Sequence, residues 1–454
     1  MAFVPWYILI LLFLILLDYS LGRAMERKEG ARRKLLLIAS IVGNLGILFV
    51  FKYFNFFNAN IAILADAIDW NYSIESLKLI LPIGLSFHVF QSLSYVIEVY
   101  RKNFKAERHI GVYALYVLFF PQLVAGPIER PQRLLPQLHL EHSFDRERVM
   151  DGLTLMLWGF FKKLVIADQL AIVVNQVYGN LYEMSPLVIV IAVILFMYQL
   201  YCDFSGYSDI AVGSARVLGF ELMRNFERPF SSVTIAEFWR RWHISLSSWL
   251  RDYLFFPLAV HWRRWGRTGS YTATIVTFVL IGFWHGAAWT FVGLGLMHGL
   301  YLVFGQMTKE KREGVATLIG FVRYPKIRRM WQIVVTFTLV TVSCVFFRAR
   351  SLEDVWYIFS ILPSGLLQFG DWSYVTSQLF TPAVLGITLP FFTLRMLAIV
   401  FMEVVEWYTR TPSSLRVRLL ALPFGARLSL YYVVLIWIFL LGSFGSQSFI
   451  YFQF

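Results

Sequence analysis

Two histidines lie in stretches of the chain that are otherwise apolar or amphipathic. His285 is in the run Gly282-Phe-Trp-His-Gly-Ala-Ala-Trp, and His243 follows two arginines in Trp239-Arg-Arg-Trp-His-Ile-Ser-Leu-Ser. A charged side chain in hydrocarbon is unfavourable by roughly 2.5 to 3.5 kcal/mol even on lenient insertion scales, so ionisable residues there usually line a cavity or a reaction path. Histidine changes charge near neutral pH and is the commonest general acid or base. The pair therefore indicates proton-handling chemistry.

Each histidine also has a purely structural interpretation. His285 can pack among aromatic rings and bond to a backbone carbonyl, and His243 can be an interfacial residue of a basic helix. The glycines on either side of His285, at 282 and 286, would let a helix or a substrate approach closely. A base that activates a hydroxyl often has a second polar group that orients it or stabilises charge. The pairing therefore favours a catalytic role.

The composition requires a membrane protein. Of the 454 residues, 58% are hydrophobic, 18% aromatic and only 15% charged, which is too apolar for a soluble domain. Both cysteines, Cys202 and Cys344, lie in apolar runs, so neither a disulfide framework nor a cysteine zinc site is expected. The first apolar run, at 4–17, lacks the flanks of a cleaved signal peptide and is expected to be a retained transmembrane helix.

The net charge of +13 mainly records membrane topology. By the positive-inside rule the basic segments face the cytoplasm, and the polar connections at 58–77, 179–185 and 351–380, which contain acids but no Lys or Arg, lie outside. A cationic inner face also suits lipid headgroups or a phosphorylated substrate, so no nucleic acid partner is expected. Most of the 41 Lys and Arg residues lie at 22–34, 101–109, 130–148, 216–267, 305–330 and 406–427.

Several apolar runs are long enough to cross the roughly 30 Å hydrocarbon core. The connections between these runs lie alternately inside and outside, as the charge rule requires. The stretch at 271–305 is long enough to enter and return. We therefore predict an all-α, polytopic transmembrane protein of about ten crossings, with both termini outside and one membrane domain over residues 1–454. The other predicted spans lie near 4–20, 35–57, 78–99, 152–178, 186–204, 331–347, 381–403 and 429–446.

Two further segments, 110–127 and 234–254, are predicted to be re-entrant or interfacial elements. The first is apolar but has cytoplasmic-type charge on both flanks and contains helix-breaking Pro and Gly. The second carries a stripe of aromatic and aliphatic residues at helical spacing. A continuous helix there would place His243 at the border of this stripe, beside Arg240 and Ser247.

Helical geometry predicts different depths for the two histidines. His285 lies 14 residues beyond Tyr271, about 21 Å along a helix, and so deep in the membrane. His243 is expected to be reached from the cytoplasm, at the other end of one cavity. His298, in Gly295-Leu-Met-His-Gly, could line that cavity too.

Other polar residues in or near the spans are predicted to have structural roles. The run Tyr201-Cys-Asp-Phe-Ser-Gly-Tyr-Ser-Asp resembles neither a nucleophile elbow nor a phosphate loop, and is expected to break a helix and pair with arginines. Lys162, Lys163 and Arg395 either face a polar interior or snorkel. The pair in His139-Leu-Glu-His could chelate a metal, but a solvated loop is the better account, and no metal site is predicted.

Several motifs, in order along most of the chain, resemble the membrane-bound O-acyltransferase family, in particular the branch of the membrane subunits of alginate and peptidoglycan O-acetylation. The sequence departs from the family pattern at Pro257-Leu-Ala-Val, where the family has Pro-Leu-Gly-Gly. From the resemblance we also expect a later start than in typical relatives, without their leading hydrophobic segment; an internal start codon or a different arrangement at the outer face would explain this equally well. The motifs are Phe120-Pro-Gln-Leu-Val-Ala-Gly-Pro-Ile, Gly159-Phe-Phe-Lys-Lys-Leu-Val-Ile-Ala-Asp, Asp203-Phe-Ser-Gly-Tyr-Ser-Asp-Ile-Ala, Glu237-Phe-Trp-Arg-Arg-Trp-His-Ile-Ser-Leu-Ser, Trp249-Leu-Arg-Asp-Tyr-Leu, Trp284-His-Gly and Phe449-Ile-Tyr-Phe-Gln-Phe.

The resemblance implies transfer of an acyl group, here acetyl, from a cytoplasmic thioester to a hydroxyl delivered from the outer side. It implies that His285 is the catalytic histidine and His243 the second active-site histidine. We expect His285 to take the hydroxyl proton while His243 positions the thioester or stabilises charge; an acyl-histidine intermediate is the alternative. The substrate or cofactor channel is expected to include Arg240, Arg241, Trp242, Ser247, Asp203, Ser205, Trp284 and His298.

The implied donor is acetyl-CoA or an acyl carrier protein, with no permanently bound cofactor. The implied partners are a polysaccharide acceptor and an extracytoplasmic acyltransferase protein, at the inner membrane of a bacterium. One alternative is D-alanyl transfer from a carrier protein to a cell-envelope polymer. A proton-coupled transporter and a catalytically silent scaffold are others, although no internal repeat typical of transporters is evident and a scaffold would need neither histidine.

Overall fold

The computed structural model describes residues 5–82, 84–124, 126–379, 389–409, 415–445 and 449–450. Regular structure in these ranges is helical, and no β-strand occurs in them. The α-helices are α1 (Tyr7–Glu26), α2 (Gly30–Leu48), α3 (Phe54–Asp66), α4 (Leu85–Tyr100), α5 (Ile110–Leu118), α6 (Pro131–Leu138), α7 (Arg146–Phe160), α8 (Asp168–Gly179), α9 (Pro186–Leu218), α10 (Ile235–Arg241), α11 (Ile244–Leu250), α12 (Phe256–His261), α13 (Arg267–His285), α14 (Trp289–Met307), α15 (Lys309–Leu318), α16 (Pro325–Arg348), α17 (Leu352–Gln368), α18 (Trp372–Leu379), α19 (Leu389–Thr409), α20 (Leu415–Leu420) and α21 (Phe424–Leu441). Wider π-helical turns cover Phe49–Tyr53, Phe161–Ala167 and Arg251–Phe255, and 3₁₀ turns cover Leu181–Glu183, Pro229–Ser231, Arg263–Trp265 and Phe321–Arg323.

The described residues include six helical segments that are long and apolar enough to cross a membrane. The predicted all-α, polytopic membrane fold is thereby confirmed. The other predicted crossings contain helices, but the span predicted near 78–99 is helical only from Leu85 onward. A total of about ten crossings remains the prediction. Four predicted spans include residues outside the described ranges, namely 4, 83, 381–388 and 446. The six segments are Tyr7–Glu26, Gly30–Asp66, Pro186–Leu218, Trp289–Met307, Pro325–Arg348 and Phe424–Leu441.

The chain divides into two compact units, so a single domain over 1–454 remains a prediction. The first unit comprises Met1–Val149, Ser214–Met223 and Gly286–Ala288, and the second comprises Met150–Gly213, Arg224–His285 and Trp289–Phe454.

Buried polar contacts join α1 and α2 in the first unit. The carboxylate of Asp18 accepts hydrogen bonds from Ser40 Oγ at 2.5 Å and from Asn44 Nδ2 at 2.9 Å. All three side chains are buried. Because each polar group has a partner, the helices can pack without an isolated charge between them.

The segment predicted at 110–127 begins with a helix that is too short to cross a bilayer. Helix α5 has nine residues, a rise of about 14 Å, which is less than half of the hydrocarbon core. The backbone then leaves helical geometry until α6 begins at Pro131. Ala125, in the middle of the first quoted motif, lies outside the described residues.

Paired glycines let α7 pack directly against α9 in the second unit. A Cβ atom on Gly159 would lie 2.6 Å from the carbonyl oxygen of Gly206, and one on Gly213 would lie 2.6 Å from that of Gly152. Backbone therefore meets backbone at two levels. This contact brings the π-helical turn Phe161–Ala167 beside the polar run that begins at residue 203.

Candidate active site

His285 is the last residue of α13, and the packing of α13 against α14 determines where it lies. The two helices form an antiparallel hairpin that is closest at Gly282 and Gly295. A Cβ atom on Gly282 would overlap the carbonyl oxygen of Phe291, and one on Gly295 would overlap that of Phe278. The glycine that precedes His285 by three residues therefore serves the approach of a helix rather than of a substrate.

A cavity of about 40 Å³ inside the second unit has His285 on its wall. The side chain is buried, with 8% of its surface exposed. Trp242 and His298, two other predicted site residues, also lie on this wall, and most of the remaining wall is aliphatic or aromatic. The cavity is thus a narrow apolar space with a few polar atoms, as binding sites for small apolar groups commonly are.

His243 lies at a break between two short helices, which corrects the expectation of one continuous helix over 234–254. Helix α10 ends at Arg241 and α11 begins at Ile244, and His243 has the left-handed backbone angles φ 43° and ψ 54°. The loop before α10 holds this break, because Glu227 N–H donates to the carbonyl of Arg241 and Ile244 N–H donates to that of Asn225, both at 2.9 Å. The predicted alignment of His243 with Arg240 and Ser247 on one helix face is therefore wrong.

The side chain of Asn225 ties the same loop to α11 and α9. Its Oδ1 accepts from Ser245 Oγ at 2.6 Å and from Ser245 N–H at 3.3 Å, and its Nδ2 donates to Ser208 Oγ at 3.2 Å. All three residues are buried. Sequence reasoning missed Asn225, because it lies in a loop without any periodic pattern and far from His243 along the chain.

The indole of Trp284 contacts both histidines. Its ring centroid is 4.9 Å from that of His285 and 6.2 Å from that of His243. His243 also meets Phe204 edge-on at 4.6 Å, and Phe204 contacts Phe449 at 6.1 Å. His285 lies on the described wall of the cavity. His243 is fully buried among the rings of Phe204 and Trp284, and Trp284 connects it to His285.

Burial favours the neutral form of the His243 imidazole. Burial holds its pKa well below the usual value of 6.5, and the nearby His285 lowers that pKa further. A neutral imidazole has one N–H donor and one acceptor nitrogen. It can orient a reacting group or accept a proton, but it does not offer a fixed positive charge to a phosphate.

His298 is fully hydrogen-bonded at both ring nitrogens. The indole N–H of Trp239 donates to Nδ1 at 3.2 Å, and Nε2 lies 2.8 Å from Ser343 Oγ. The Ser343 hydroxyl donates to the carbonyl of Val340 at 2.7 Å. An indole can only donate, so Nδ1 is the acceptor and Nε2 carries the proton.

The polar run on α9 forms ion pairs with lysines, which corrects two expectations. Helix α9 continues unbroken from Pro186 to Leu218, because the buried charges along it have partners. Lys162 Nζ lies 2.7 Å from Asp209, and Lys163 Nζ lies 2.6 Å from both Asp168 and Asp203. The partners are lysines of the π-helical turn rather than arginines, and the wide turn directs two consecutive lysines to different acids.

Asp203 also accepts a hydrogen bond from the last described residue. The N–H of Ile450 donates to its Oδ2 at 2.7 Å. The described part of the closing motif thus packs on the Asp203 motif, beside His243; residues 451–454 lie outside the described ranges. Ser205, on the same helix, is fully buried. Among the described residues that line the cavity, neither Asp203 nor Ser205 is present.

The predicted channel arginines are not on the described wall of the cavity. Arg241 pairs with Glu237 at 2.6 Å and donates to Ser231 Oγ at 2.9 Å. Arg240 is exposed. Ser247 donates to the carbonyl of Trp242 at 3.1 Å and so supports the start of α11.

The alternative metal-binding pair has separate partners in the first unit. His139 Nε2 lies 2.8 Å from the carboxylate of Glu107, and His142 Nε2 lies 2.9 Å from the carbonyl of Gln137. The described ranges contain no group of three or more His, Cys, Asp or Glu residues arranged to hold a metal ion.

Comparison with known proteins finds relatives that match most of this chain. A protein of Azotobacter vinelandii named "Probable alginate O-acetylase AlgI" is 38% identical over 78% of this chain and 66% of its own length, just under two thirds. A Pseudomonas putida protein of the same name is 37% identical over 83% of this chain and 75% of its own. The "Peptidoglycan O-acetyltransferase" of Helicobacter pylori is 32% identical over 77% and 68%.

More distant relatives are named for a different activity. The "Teichoic acid D-alanyltransferase" of Streptococcus thermophilus is 28% identical over 61% of this chain. The model of MBOAT, the membrane-bound O-acyltransferase family, matches residues 109–347, a range that contains both histidines, the cavity-lining part of α14 and most of the quoted motifs. The resemblance predicted from those motifs is confirmed: the chain belongs to the membrane-bound O-acyltransferase family.

Proposed function

We propose that this protein transfers an acetyl group from acetyl-CoA, supplied on the cytoplasmic side, to a hydroxyl of an extracytoplasmic polysaccharide or of a partner protein that modifies it. Family membership and the relatives named as O-acetylases and O-acetyltransferases support acyl transfer to oxygen. The observation that carries the proposal is the buried imidazole of His285 on the wall of a narrow, mostly apolar cavity.

In the proposed reaction, the acceptor hydroxyl oxygen attacks the thioester carbonyl carbon while His285 takes the hydroxyl proton. The carbon–sulfur bond then breaks, and the thiolate of coenzyme A leaves and receives that proton from His285. The products are an O-acetyl ester and free coenzyme A, so no net proton is gained or lost. The neutral His243, joined to His285 through Trp284, orients or stabilises the reacting groups.

The proposed location is the inner membrane of a bacterium, with both termini outside. The six candidate spans support insertion in a bilayer, and the distribution of Lys and Arg supports the orientation. With this orientation the basic connections face the cytoplasmic donor. An extracytoplasmic partner protein would receive the acetyl group on the opposite side.

The experiment is acetyl transfer by the protein in sealed vesicles with their cytoplasmic side outward. Labelled acetyl-CoA is added outside, and label on an acceptor enclosed in the vesicles is measured for the wild type and for His285→Gln. Loss of a general base lowers such rates by about 10²- to 10⁴-fold, and we expect a loss of this size. The control is His261→Gln, an exposed histidine of α12, for which the rate should not change.

Two results would contradict the proposal. Unchanged transfer by a folded His285→Gln would exclude His285 as the base. Transfer from a D-alanyl carrier protein with none from acetyl-CoA would replace the donor with that of the more distant relatives.

A further inference from the structure

A groove in the second unit lies beside α21, a helix that the rest of the protein leaves mostly uncovered. Only 11% of the most apolar window of α21 is buried inside the protein, the smallest share among the six candidate spans. The groove lies between four helices and is bounded by Trp158 of α7, Val405 of α19, Leu419 of α20 and Leu430 of α21. We call it the α21 groove. A ligand in it would meet hydrocarbon on the open side, where a polar group without a partner is unfavourable.

The lining of the α21 groove is apolar except for one pair of hydroxyls. Of the ten described lining residues, eight are Leu, Val, Phe or Trp. Thr154 donates to the carbonyl of Met150 at 2.7 Å, and the hydroxyl of Tyr431 lies 3.2 Å from Thr154 Oγ. Because the Thr154 proton is already used, Tyr431 is the donor of this pair. Both hydroxyls thus have protein partners, and the groove suits an acyl chain better than a polar ligand.

Two arginines lie just beyond one end of the α21 groove. Arg427 precedes Leu430 by three positions on α21, about 4.5 Å along the helix axis. The guanidinium of Arg418, on α20, lies 5.9 Å from the ring centroid of Tyr408, which follows Val405 by three positions on α19. Since α20 lies in the connection from α19 to α21, both arginines are at the end of the groove where that connection runs.

This end of the groove is expected at the cytoplasmic surface of the membrane. The connection belongs to the basic segment at 406–427, and basic connections face the cytoplasm. A guanidinium presents parallel N–H donors that match a phosphate. Each Lys or Arg near a membrane surface raises the affinity for anionic lipid about fivefold. An apolar groove below two such groups therefore matches a lipid with an acyl chain and a negatively charged headgroup.

We propose that the α21 groove binds one anionic glycerophospholipid of the cytoplasmic leaflet, with an acyl chain along the groove and the phosphate at Arg418 and Arg427. The arginines favour this ligand over a second copy of the chain, because a two-fold contact in the plane of the membrane would bring the arginines of both copies to the same depth. The site is separate from the proposed reaction, since none of its described lining residues lies on the described wall of the cavity beside His285.

Lipid binding is measured on the whole chain in detergent, by native mass spectrometry and by the rise in melting temperature on titration. The probes are phosphatidylglycerol, phosphatidylcholine with the same acyl chains, and inorganic phosphate. We expect the wild type to bind phosphatidylglycerol more tightly than phosphatidylcholine and not to be stabilised by inorganic phosphate. Arg418→Gln and Arg427→Gln should each weaken binding of phosphatidylglycerol about fivefold, and together about 25-fold. Arg264→Gln, at an exposed position of another basic connection, is the control and should not change it.

Substitutions on α21 test whether the acyl chain occupies the groove. Leu430→Trp places a larger side chain in the groove, and exclusion of two methylene groups is enough to weaken binding at least about tenfold. Leu428→Trp is the matched control, because Leu428 is 40% exposed on the same helix and is not among the described lining residues. It should bind phosphatidylglycerol as the wild type does. Where Leu430→Trp does not fold, Leu430→Phe adds less volume and is expected to weaken binding in the same direction.

Several results would overturn the lipid site. Equal affinity of the wild type and the double arginine variant for phosphatidylglycerol would exclude the arginines as the headgroup site. Stabilisation by inorganic phosphate equal to that by the lipid would exclude the acyl chain from recognition, and unchanged binding in the folded Leu430 variants would exclude it from the groove. A dimer that Leu430→Trp dissociates, with lipid binding unchanged, would assign the groove to a second copy. Acetyl transfer enters none of these measurements, so the lipid site and the proposed function can fail separately.

Discussion

At the scale of single residues, His243 is a buried side chain on a strained backbone. It is fully buried, and its backbone adopts the left-handed conformation, which is uncommon for a residue with a side chain and unfavourable by about 1 to 3 kcal/mol. Two backbone hydrogen bonds to the preceding loop and the side chain of Asn225 stabilise the break. The surrounding structure thus holds an imidazole in place at the expense of local strain, as is common at functional sites.

The buried His243 should make stability depend on pH. Its pKa in the folded protein lies well below 6.5, so the unfolded chain binds a proton that the folded protein does not. Stability is therefore full above about pH 6.5 and falls as the pH decreases, by up to about 1.4 kcal/mol per pH unit. Thermal unfolding in detergent from pH 7.5 to 5 measures this slope.

His243→Asn should have a flatter stability profile, because the titrating group is gone while the backbone conformation is kept. His261→Asn, at an exposed position, should keep the wild-type profile. Identical pH slopes for His243→Asn and the wild type would contradict the buried, neutral state of this imidazole.

Individual residues of the site differ in how far the sequence predicts them. His285 and His298 stand out because they are polar residues in apolar runs. The break at His243 could not be predicted, because the apolar stripe runs through it at helical spacing, and only contacts from the loop at 225–227 interrupt the helix. Asn225 and Ser343 are ordinary polar residues in the sequence, and their hydrogen bonds exist only in the folded chain.

At the scale of elements, the hairpin of α13 and α14 places two histidines of the site. Gly282 and Gly295 allow the helices to touch, which brings His285, at the end of α13, and His298, within α14, to one cavity. Hydropathy predicts both helices, since the apolar stretch is too long for one crossing. It does not predict which glycines meet, because that depends on how the two helices are rotated.

Gly295→Ala should destabilise this hairpin. The added methyl group would overlap the backbone of α13 at Phe278, and overpacking of this kind typically lowers stability by about 1 to 3 kcal/mol. Thermal unfolding in detergent, together with acetyl transfer, measures the effect. Gly305→Ala is the matched control in the same helix, because a Cβ there has no atom within 4 Å, and it should be neutral or stabilising by up to about 1 kcal/mol. Equal stability of the two variants would contradict the close contact.

At the scale of the whole molecule, the distribution of charge predicts orientation. Connections rich in Lys and Arg are expected inside, and the connection at 179–185, which has none, is expected outside. Composition and hydropathy were sufficient to predict a polytopic helical protein. They could not predict the buried ion pairs between the π-helical turn and α9, because lysines near the end of a span can equally reach water.

Labelling with a membrane-impermeant maleimide tests the orientation in intact cells. Tyr182→Cys, at a position 59% exposed in the connection at 179–185, should be labelled from outside. Arg264→Cys, in an exposed basic connection, should be labelled only after the membrane is opened. The native cysteines are both buried, so the unsubstituted protein provides the unlabelled control. The reverse pattern would invert the proposed topology.

The left-handed backbone at His243 also restricts how this position can change by mutation. A single nucleotide change in a histidine codon can introduce Asn, Asp, Gln, Tyr, Arg, Leu or Pro. Asn and Asp are the members of this set that most readily adopt the left-handed conformation. Variants that keep the fold but lose the imidazole are thus concentrated in two replacements, and a genetic screen that recovers only folded, inactive protein should be enriched for them.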